Sequence, residues 1–324
     1  MMINSHVDKV YEVAQSNAIA KSRVAASWRR ALDIHGLDPA NPRKTKRICG
    51  RDLKHRQKNL DRLLRVASPK LDNLYKTLGL SGCGVLLTDA EGIIVDQRLS
   101  SADTPVFEDW GLGKGTDWSE ASEGTNGIGT CIAENRSVTI HMDQHFHARN
   151  IALSCMDAPI FGLDGQIIAA LDVSTARLDR TENINSLISA LVIDVARQIE
   201  TEYFHHCFTN HRIISLPQGD SEAPALLAVD DHDLVVGATR IARKICQLGF
   251  NAQIEPVPAS DILGGPSRNE LFGDAESAAI MQALARTHGN ITQAAEQCGI
   301  GRATFYRRMN RVGISKELIK SKNY

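Results

Sequence analysis

The segment from Gly289 to Ile314, GNITQAAEQCGIGRATFYRRMNRVGI, constrains the fold of this chain more than any other stretch of the sequence. Apolar residues recur at helical spacing on both sides of a Cys-Gly-Ile turn, which predicts two helices that cross there. Asn290 is expected to cap the first of these helices, and Gly299 to end it with a positive φ. Together with a preceding helix from about Glu276, the segment predicts a three-helix unit.

The last helix of this unit has two chemically different faces. Phe305, Met309 and Val312 fall at spacings i, i+4 and i+7, which places them on one apolar stripe. The remaining surface supplies the candidate DNA-binding residues, which are Arg302, Thr304, Tyr306, Arg307, Arg308 and Arg311. The whole chain has a formal net charge of −1, so this local excess of arginine indicates a module that meets a polyanion. The alternative is a helical hairpin whose arginines are only solvated.

The pattern resembles the Fis-type helix-turn-helix found at the end of sigma-54 activators. The shared features are the Gly-Asn start, two alanines, the glycine turn, a Thr-hydrophobic-Tyr-Arg run and a final hydrophobic-Gly-Ile. The resemblance implies double-stranded DNA as partner, a homodimer, and contacts to bases or phosphates from Arg302, Thr304, Arg307 and Arg308, with Tyr306 and Arg311 at the DNA backbone. The sequence departs from the pattern at Gly301, where Ser or Asn is usual.

The longer amino-terminal part alternates helical and strand patterns, which predicts an α+β sensor with a central antiparallel sheet flanked by helices. Two apolar runs around residues 89–92 predict a strand-turn-strand, and another turn is expected at residues 163–165. A long helix is predicted from Thr181 to about His205, and it is a candidate dimer surface. One helical face near the start is predicted from the spacing of Ile19, Val24, Trp28 and Leu32.

A run of positive charge follows these first helices. Its members are Arg43, Lys44, Lys46, Arg47, Arg51, Lys54, Arg56 and Lys58. A solvated helical face, a contact between domains and a secondary contact with DNA all explain such a run.

Several short motifs in the sensor region resemble the sensory part of the acetoin catabolism regulators (AcoR type). They are SWRR and HGLDP between Ser27 and Pro39, residues 122–130 (SEGTNGIGT), His145-Phe146, Cys155 with residues 158–160 (API), and residues 171–174 (LDVS). The resemblance implies a GAF domain, a fold that holds small ligands between its sheet and overlying loops. Gln144 stands where relatives often carry an acid.

The candidate effector-binding residues are Trp110, Trp118, Asn126, His141, His145, Phe146 and Cys155. For the histidines, polar ligand contacts, metal binding and purely structural roles all stay open. For the aromatic residues, core packing is the alternative to lining a pocket. No metal and no cofactor is assigned, and the resemblance suggests an acetoin-like carbonyl compound or diol as effector.

Five segments are expected along the chain. They are an N-terminal helical segment (1–60), a GAF-like sensor (61–206), a segment that resembles a truncated PAS domain (207–250), a linker (251–273) and the Fis-type helix-turn-helix (274–324). The sequence lacks a signal peptide and a long apolar run, which predicts a cytoplasmic protein without a membrane partner. Its seven scattered cysteines include no CxxC pair and are expected to be reduced.

These features predict a ligand-responsive, sequence-specific DNA-binding transcription regulator of a catabolic operon, and not an enzyme. The GLGKGT stretch is no phosphate-binding loop, since Lys114 precedes Gly115 instead of Ser or Thr, and no GxxxxGK[ST] motif occurs elsewhere. Action without ATP hydrolysis is therefore expected. Two alternatives remain: a co-regulator that works through a protein partner, such as RNA polymerase or a full-length sigma-54 activator, and a His/Cys metal-dependent enzyme.

Overall fold

The computed structural model describes residues 2–17, 22–41, 44–78, 82–175, 182–217, 223–250, 254–255, 257–263, 271–287 and 289–314. The chain divides into two compact units, Met1–Pro256 and Val257–Tyr324. Ile19, Arg43, the predicted helix start at Thr181 and residues 251–253, 256 and 264–270 of the expected linker lie outside the described residues. Among the described helices, none has both the length and the apolar composition that crossing a lipid bilayer requires.

A five-stranded antiparallel sheet forms the centre of the first unit. Its strands are β1 (Cys83–Asp89), β2 (Ile94–Arg98), β3 (Val138–His141), β4 (Ser154–Phe161) and β5 (Ile167–Thr175), in the order β2-β1-β5-β4-β3. The predicted turn at residues 89–92 joins β1 to β2, and Gly92 there has a φ of 86°. The predicted antiparallel sensor sheet is thus confirmed.

Two long helices, α4 (Asp61–Leu78) and α8 (Glu182–Cys207), cover one face of this sheet. Leucines of α4 and β-branched residues of α8 recur at helical spacing, so each helix buries one stripe against the strands. The long helix was predicted to end at about His205, and it continues to Cys207.

Short helices and loops cover the opposite face. They are α5 (Thr104–Asp109), α6 (Glu120–Glu123), α7 (Gly127–Glu134) and 3-10 turns at Met142–Gln144 and Ala148–Asn150. A second apolar core lies beneath them, with Leu86, Phe107, Trp118, Ile128 and Cys155 among its buried members. Because side chains alternate along a strand, Cys155 faces this core whereas Met156 faces the α4 and α8 side.

Three further helices precede the sheet: α1 (Met2–Gln15), α2 (Arg23–Asp33) and α3 (Gly50–Asn59). The described part of the predicted helical face lies on α2, which begins at Arg23, and Ser22 caps this helix by accepting a hydrogen bond from the Ala25 amide at 3.4 Å. Trp28 of α2 packs with Val10 of α1 and with Phe146.

After α8 the first unit continues with β6 (Arg212–Ser215), β7 (Leu226–Val229), β8 (Leu234–Ala238) and α9 (Arg240–Ile245), and the three strands pair antiparallel in that order. The second unit contains β9 (Val257–Pro258), α10 (Ala259–Leu263), α11 (Leu271–Arg286), α12 (Ile291–Gln297) and α13 (Arg302–Arg311).

Candidate functional site

The helices α11, α12 and α13 form a small bundle around one apolar core. Its buried residues are Ile280, Ala283, Leu284, Ala294, Ala295, Phe305, Met309 and Ile314. Asn290 caps α12 by accepting hydrogen bonds from the amides of Thr292 (3.1 Å) and Gln293 (3.3 Å). Gly299 has a φ of 65° at the turn that follows. The capping and turn residues expected from the sequence are therefore in place, which fixes how α13 crosses α12.

The face of α13 that points away from this core is basic. Arg302 and Arg307 are exposed, and neither forms an ion pair with a described carboxylate. Arg302 lies over the Tyr306 ring at 5.9 Å, and Arg307 donates to Thr304 Oγ1 at 3.4 Å. At 100° per residue, Arg307 projects from nearly the opposite side to Phe305. The N-cap Gly301 makes no side-chain cap bond, as its lack of a side chain requires.

The other two arginines of α13 form ion pairs with a glutamate of α11. Arg308 Nε lies 3.4 Å from Glu276 Oε1, and Arg311 forms an ion pair with Glu276 Oε2. The Glu276 side chain is only 13% exposed, whereas Arg308 and Arg311 keep 48% and 69% of their side-chain surface. Arg308 and Arg311 thus hold α13 against α11 as well as contributing positive charge.

In the first unit, helix α2 is bonded to the short helices above the sheet. Arg30 Nε donates to Glu120 Oε2 at 2.8 Å, and Arg30 Nη2 donates to Glu120 Oε1 at 2.9 Å. Ser27 Oγ donates to the same carboxylate and lies 2.6 Å from Thr125 Oγ1. The SWRR and SEGTNGIGT motifs therefore meet in space, since Ser27 contacts Thr125, 98 residues away in sequence.

Two further contacts join the N-terminal segment to this region. The Trp28 indole donates to the Gln144 carbonyl at 2.9 Å, and Arg149 Nη2 donates to Glu123 Oε1 at 2.6 Å and to Thr45 Oγ1 at 3.1 Å. The Glu123 carboxylate is 1% exposed, so its charge is balanced mainly by Arg149. Residues 119–134 are consequently fixed on their outer side by charged hydrogen bonds.

On their inner side these residues cover two buried acids. Asp157 of β4 and Asp172 of β5 are directly opposite each other across the sheet, and both are fully buried. Burial and the neighbouring Asp172 carboxylate raise the pKa of Asp157 well above its ordinary value, and burial raises the pKa of Asp172 to about 7. Asp157 therefore favours its protonated form, in which it can donate a hydrogen bond to Asp172, and this hydrogen bond partly offsets the rise in the Asp172 pKa.

Other uncharged polar groups surround this acid pair. Ser174 Oγ donates to Asp172 Oδ2 at 2.8 Å and lies 3.1 Å from Cys155 Sγ. Burial, and then the nearby aspartates, raise the pKa of the Cys131 and Cys155 thiols well above their ordinary value. Apart from the proton that the Asp157 and Asp172 carboxyl groups share, no N–H or O–H group of the described residues donates a hydrogen bond to an Asp157 oxygen. We call Asp157, Asp172, Ser174, Cys131 and Cys155 the acid–thiol cluster.

The three histidines of this region do not converge. His145 is fully buried, with Nδ1 2.9 Å from the Met142 carbonyl and Nε2 3.4 Å from Cys155 Sγ. Burial lowers the pKa of His145 to about 4, so the pair is a neutral imidazole beside a neutral thiol. His141 Nδ1 instead lies 2.6 Å from Ser154 Oγ. No group of three or more His, Cys, Asp or Glu side chains in the described ranges is arranged to hold a metal ion.

The remaining candidate effector residues have clear structural contacts. Trp118 is buried in the second core and donates its indole N–H to the Gly111 carbonyl at 2.7 Å, and Trp110 packs against that core. Phe146 lies in a different cluster, with α1 and α2. Asn126 is the N-cap of α7, and its side-chain Oδ1 accepts a hydrogen bond from the Gly129 amide at 2.8 Å. Of the predicted set, Cys155 belongs to the acid–thiol cluster, and His145 contacts it through Cys155 Sγ.

The sequence analysis missed Ser27, Arg30, Glu120, Asp157 and Asp172 as site residues. The two aspartates carried a usable signal, since each interrupts an apolar run at a position that alternates with core residues of its strand. No comparable signal links Arg30 with Glu120, because their contact depends on how α2 folds back over the sheet.

Comparisons with known proteins agree with this geometry. The GAF domain profile matches residues 62–203, and the profile described as bacterial regulatory protein, Fis family, matches residues 272–311. The chain combines a GAF domain with a Fis-type helix-turn-helix. The three-helix unit α11–α13 is therefore the Fis-type module, and the sheet with its covering helices is the GAF domain.

The relatives of this GAF and Fis-type protein are transcriptional regulators. The acetoin catabolism regulatory protein of Cupriavidus necator is 31% identical over 242 residues, which cover 74% of this chain and 36% of the relative. The transcriptional activator MimR of the Mycolicibacterium smegmatis propane 2-monooxygenase operon is 28% identical over 191 residues, or 57% of this chain and 30% of the relative. The chain thus spans about a third of the length of these curated relatives.

A solved structure supports the fold. A chain from the crystal structure of the Escherichia coli DhaR(N)–DhaL complex superposes with a TM-score of 0.53 and 13% identity, over 74% of this chain and 80% of that one. At this identity the likeness concerns the fold alone.

Proposed function

We propose that this chain is an effector-responsive transcription regulator that binds DNA sequence-specifically through α13 and controls a catabolic operon. One observation carries the proposal: Arg302 and Arg307 are exposed and unpaired with described carboxylates on a helix whose other side is buried in a three-helix core. The major groove of B-DNA admits a helix, and arginine forms paired hydrogen bonds with guanine edges. The names of the relatives support the regulatory role.

The test begins with selection of preferred duplexes from a random library by the full chain. Affinity for the selected duplex is then compared for the wild type, Arg307→Ala and Arg136→Ala, which removes an exposed arginine of the first unit. Arg307→Ala is expected to weaken binding by roughly 1–3 kcal/mol and to relax the preference at one base pair. Arg136→Ala is expected to bind like the wild type. Equal affinity in all three proteins would contradict the placement of α13 in the groove.

A homodimer is part of the proposal, because Fis-type modules present two recognition helices to successive major grooves. The selected duplexes are then expected to contain two half-sites about 10 base pairs apart, centre to centre. Light scattering of the free protein measures the dimer directly. A single unrepeated half-site, bound by a monomer, would contradict it.

We propose that the effector is an uncharged molecule with hydroxyl or carbonyl groups, such as acetoin or a related diol, and that it binds at the acid–thiol cluster. The cluster offers carboxyl, hydroxyl and thiol groups that form hydrogen bonds, and burial raises the pKa of its acids and thiols, which favours their uncharged forms and matches uncharged hydrogen-bonding partners. Helix α7 covers it closely, so binding requires α7 to move, and the Glu120–Arg30 pair would carry that movement to α2.

A thermal-shift screen with acetoin and butane-2,3-diol tests this step. A bound effector at 100 times its Kd stabilises the folded unit by about 2.7 kcal/mol, which raises the melting temperature. Asp157→Asn is expected to abolish the shift while the protein stays folded. A shift that persists unchanged in Asp157→Asn would place the effector elsewhere.

Regulation without ATP hydrolysis completes the proposal. The sequence contains no GxxxxGK[ST] motif, and residues 204–271 separate the two matched domains. The regulator would therefore act by occupying or bending its site, or by recruiting a partner. Release of phosphate from ATP in the presence of the selected duplex, at a rate proportional to protein concentration, would contradict this.

A further inference from the structure

Helix α3 is fastened to the GAF domain along one side only. Leu53 and Leu60 pack against the core formed by α4, α8 and the sheet, and Gln57 Nε2 donates to the Val95 carbonyl at 2.8 Å. Arg56, on the same side, is bonded to two carboxylates of the β1–β2 turn at 2.6 and 2.7 Å. No residue of α3 is buried, so its other side is open to solvent.

The open side of α3 is basic. Arg51, Lys54 and Lys58 are separated by three and four residues, which places them within an arc of about 60° around the helix axis. All three are exposed, and no ion pair joins them to a described carboxylate, whereas the exposed Arg65 of α4 is paired with Asp61.

Two neighbouring features extend this positive surface. Lys46 is exposed just before α3, on a segment whose backbone is bonded to the GAF domain through the Asp117 amide at 2.9 Å. The N-cap Cys49 supplies no side-chain acceptor, so the amino end of α3 keeps its partial positive charge. Asp52 is also exposed but lies about 100° around the axis from Arg51. We call Lys46, Arg51, Lys54 and Lys58 the basic face.

We propose that the basic face binds the phosphate backbone of double-stranded DNA that flanks the site held by α13. The inference rests on the proposed DNA-binding function, because a duplex held by α13 is linked to the first unit through the same chain, which raises its local concentration. From Arg51 to Lys58 the helix rises about 10 Å, and a duplex presents roughly six phosphates over that length whatever its sequence. A helix with several unpaired cations and no hydrophobic anchor suits such a uniform polyanion better than it suits a protein surface.

The experiment compares the full chain with two triple variants of equal net charge. Arg51→Gln/Lys54→Gln/Lys58→Gln removes the basic face, and Lys76→Gln/Arg136→Gln/Lys244→Gln removes three exposed cations from elsewhere on the first unit. Each protein is titrated with the selected site in a short duplex of about 20 base pairs and in a long duplex of about 60 base pairs, over a range of salt concentrations. Thermal melting confirms that the three proteins fold equally well.

The salt slope is the change in the logarithm of the binding constant with the logarithm of the salt concentration. On the long duplex, this slope is expected to be shallower for the basic-face variant by about 1 for each lost phosphate contact, up to about 3. On the short duplex the three proteins are expected to have the same slope. A charge-preserving variant, Arg51→Lys/Lys54→Arg/Lys58→Arg, is expected to keep the wild-type slope on both. Equal slopes on the long duplex for the wild type and both glutamine variants would overturn the proposal. The basic face would then be assigned to binding an acidic protein instead of DNA.

These outcomes separate the two proposals. If the wild type selects no preferred duplex, the assignment of α13 fails, and binding to a mixed-sequence duplex of about 60 base pairs still measures the basic face through its salt slope. If a preferred duplex is selected and the slope is insensitive to the basic face, the assignment of α13 stands and the present inference fails.

Discussion

Arg30 of α2 and Glu120 of α6 form an ion pair with two hydrogen bonds, at 2.8 and 2.9 Å. The Glu120 side chain is 5% exposed and Arg30 is 30% exposed, so the pair lies at the edge of the protein interior. It joins the N-terminal helices to the residues that cover the acid–thiol cluster. Removal of Arg30 would leave a buried carboxylate without its main partner.

Arg30→Gln is therefore expected to destabilise the first unit by roughly 3 kcal/mol, as for other broken buried pairs. Arg29→Gln is the matched control, since Arg29 is exposed and its pair with Asp33 contributes at most about 0.5 kcal/mol. Urea unfolding followed by tryptophan fluorescence measures both, because the three tryptophans all lie in the first unit. Similar losses in the two variants would show that the pair with Glu120 is not important for stability.

The buried imidazole of His145 predicts a loss of stability at acid pH. Its pKa is about 4 in the folded protein and about 6.5 in an unfolded chain, so unfolding takes up a proton between these values. The stabilising contribution is complete above pH 6.5 and is lost as the pH falls towards 4, by up to about 3 kcal/mol. The difference in unfolding free energy between the wild type and His145→Gln should shrink over that range. A difference that is constant with pH would contradict the buried neutral imidazole.

Glu200 of α8 predicts the opposite pH dependence. Burial raises its pKa to about 7, partly offset by the Phe161 amide, which donates to its carboxylate at 3.4 Å. Since the unfolded pKa is near 4.5, the protonated carboxyl stabilises the fold fully below that value, and this contribution is lost as the pH rises through 7. Relative to the wild type, Glu200→Gln should become more stable from pH 4 to pH 8, by up to about 3 kcal/mol. Chemical denaturation at several pH values tests this, and a trend of the other sign would refute it.

Gly127, the first residue of α7, has no room for a side chain. A Cβ there would lie 1.9 Å from Asp157 Oδ2 and 2.5 Å from Cys155 Cβ. Gly127→Ala is expected to displace α7 from the sheet, to destabilise the first unit by about 1–3 kcal/mol or more, and to weaken the thermal shift caused by an effector. Gly50→Ala is the control because open space surrounds Gly50 at the start of α3. If both variants melt like the wild type, α7 does not rest closely on the acid pair.

Much of the second unit followed from the sequence. Asn290, Gly299 and the stripe of Phe305 and Met309 act through contacts within a few residues or between adjacent helices, and these interactions leave a periodic pattern. The exposure of Arg307 followed from the same periodicity. The ion pairs of Arg308 and Arg311 with Glu276 could not be predicted in this way, since they join two helices whose packing the sequence pattern does not specify.

In the sensor, the sequence by itself determined the strand-turn-strand around residues 89–92, the turn at residues 163–165 and the long helix α8, because alternation, helical spacing and glycine placement are local properties, whereas the short helices α5, α6 and α7 were not predicted. Only the tertiary structure decided that Ser27 and Arg30 bond to Glu120, that Asp157 lies opposite Asp172, and that Phe146 packs on α2 instead of lining the acid–thiol cluster. These contacts depend on strand register and on the path of the chain over the sheet. Burial then raised the pKa of Asp157 and lowered that of His145, since a buried acid or imidazole without an oppositely charged partner favours its uncharged form.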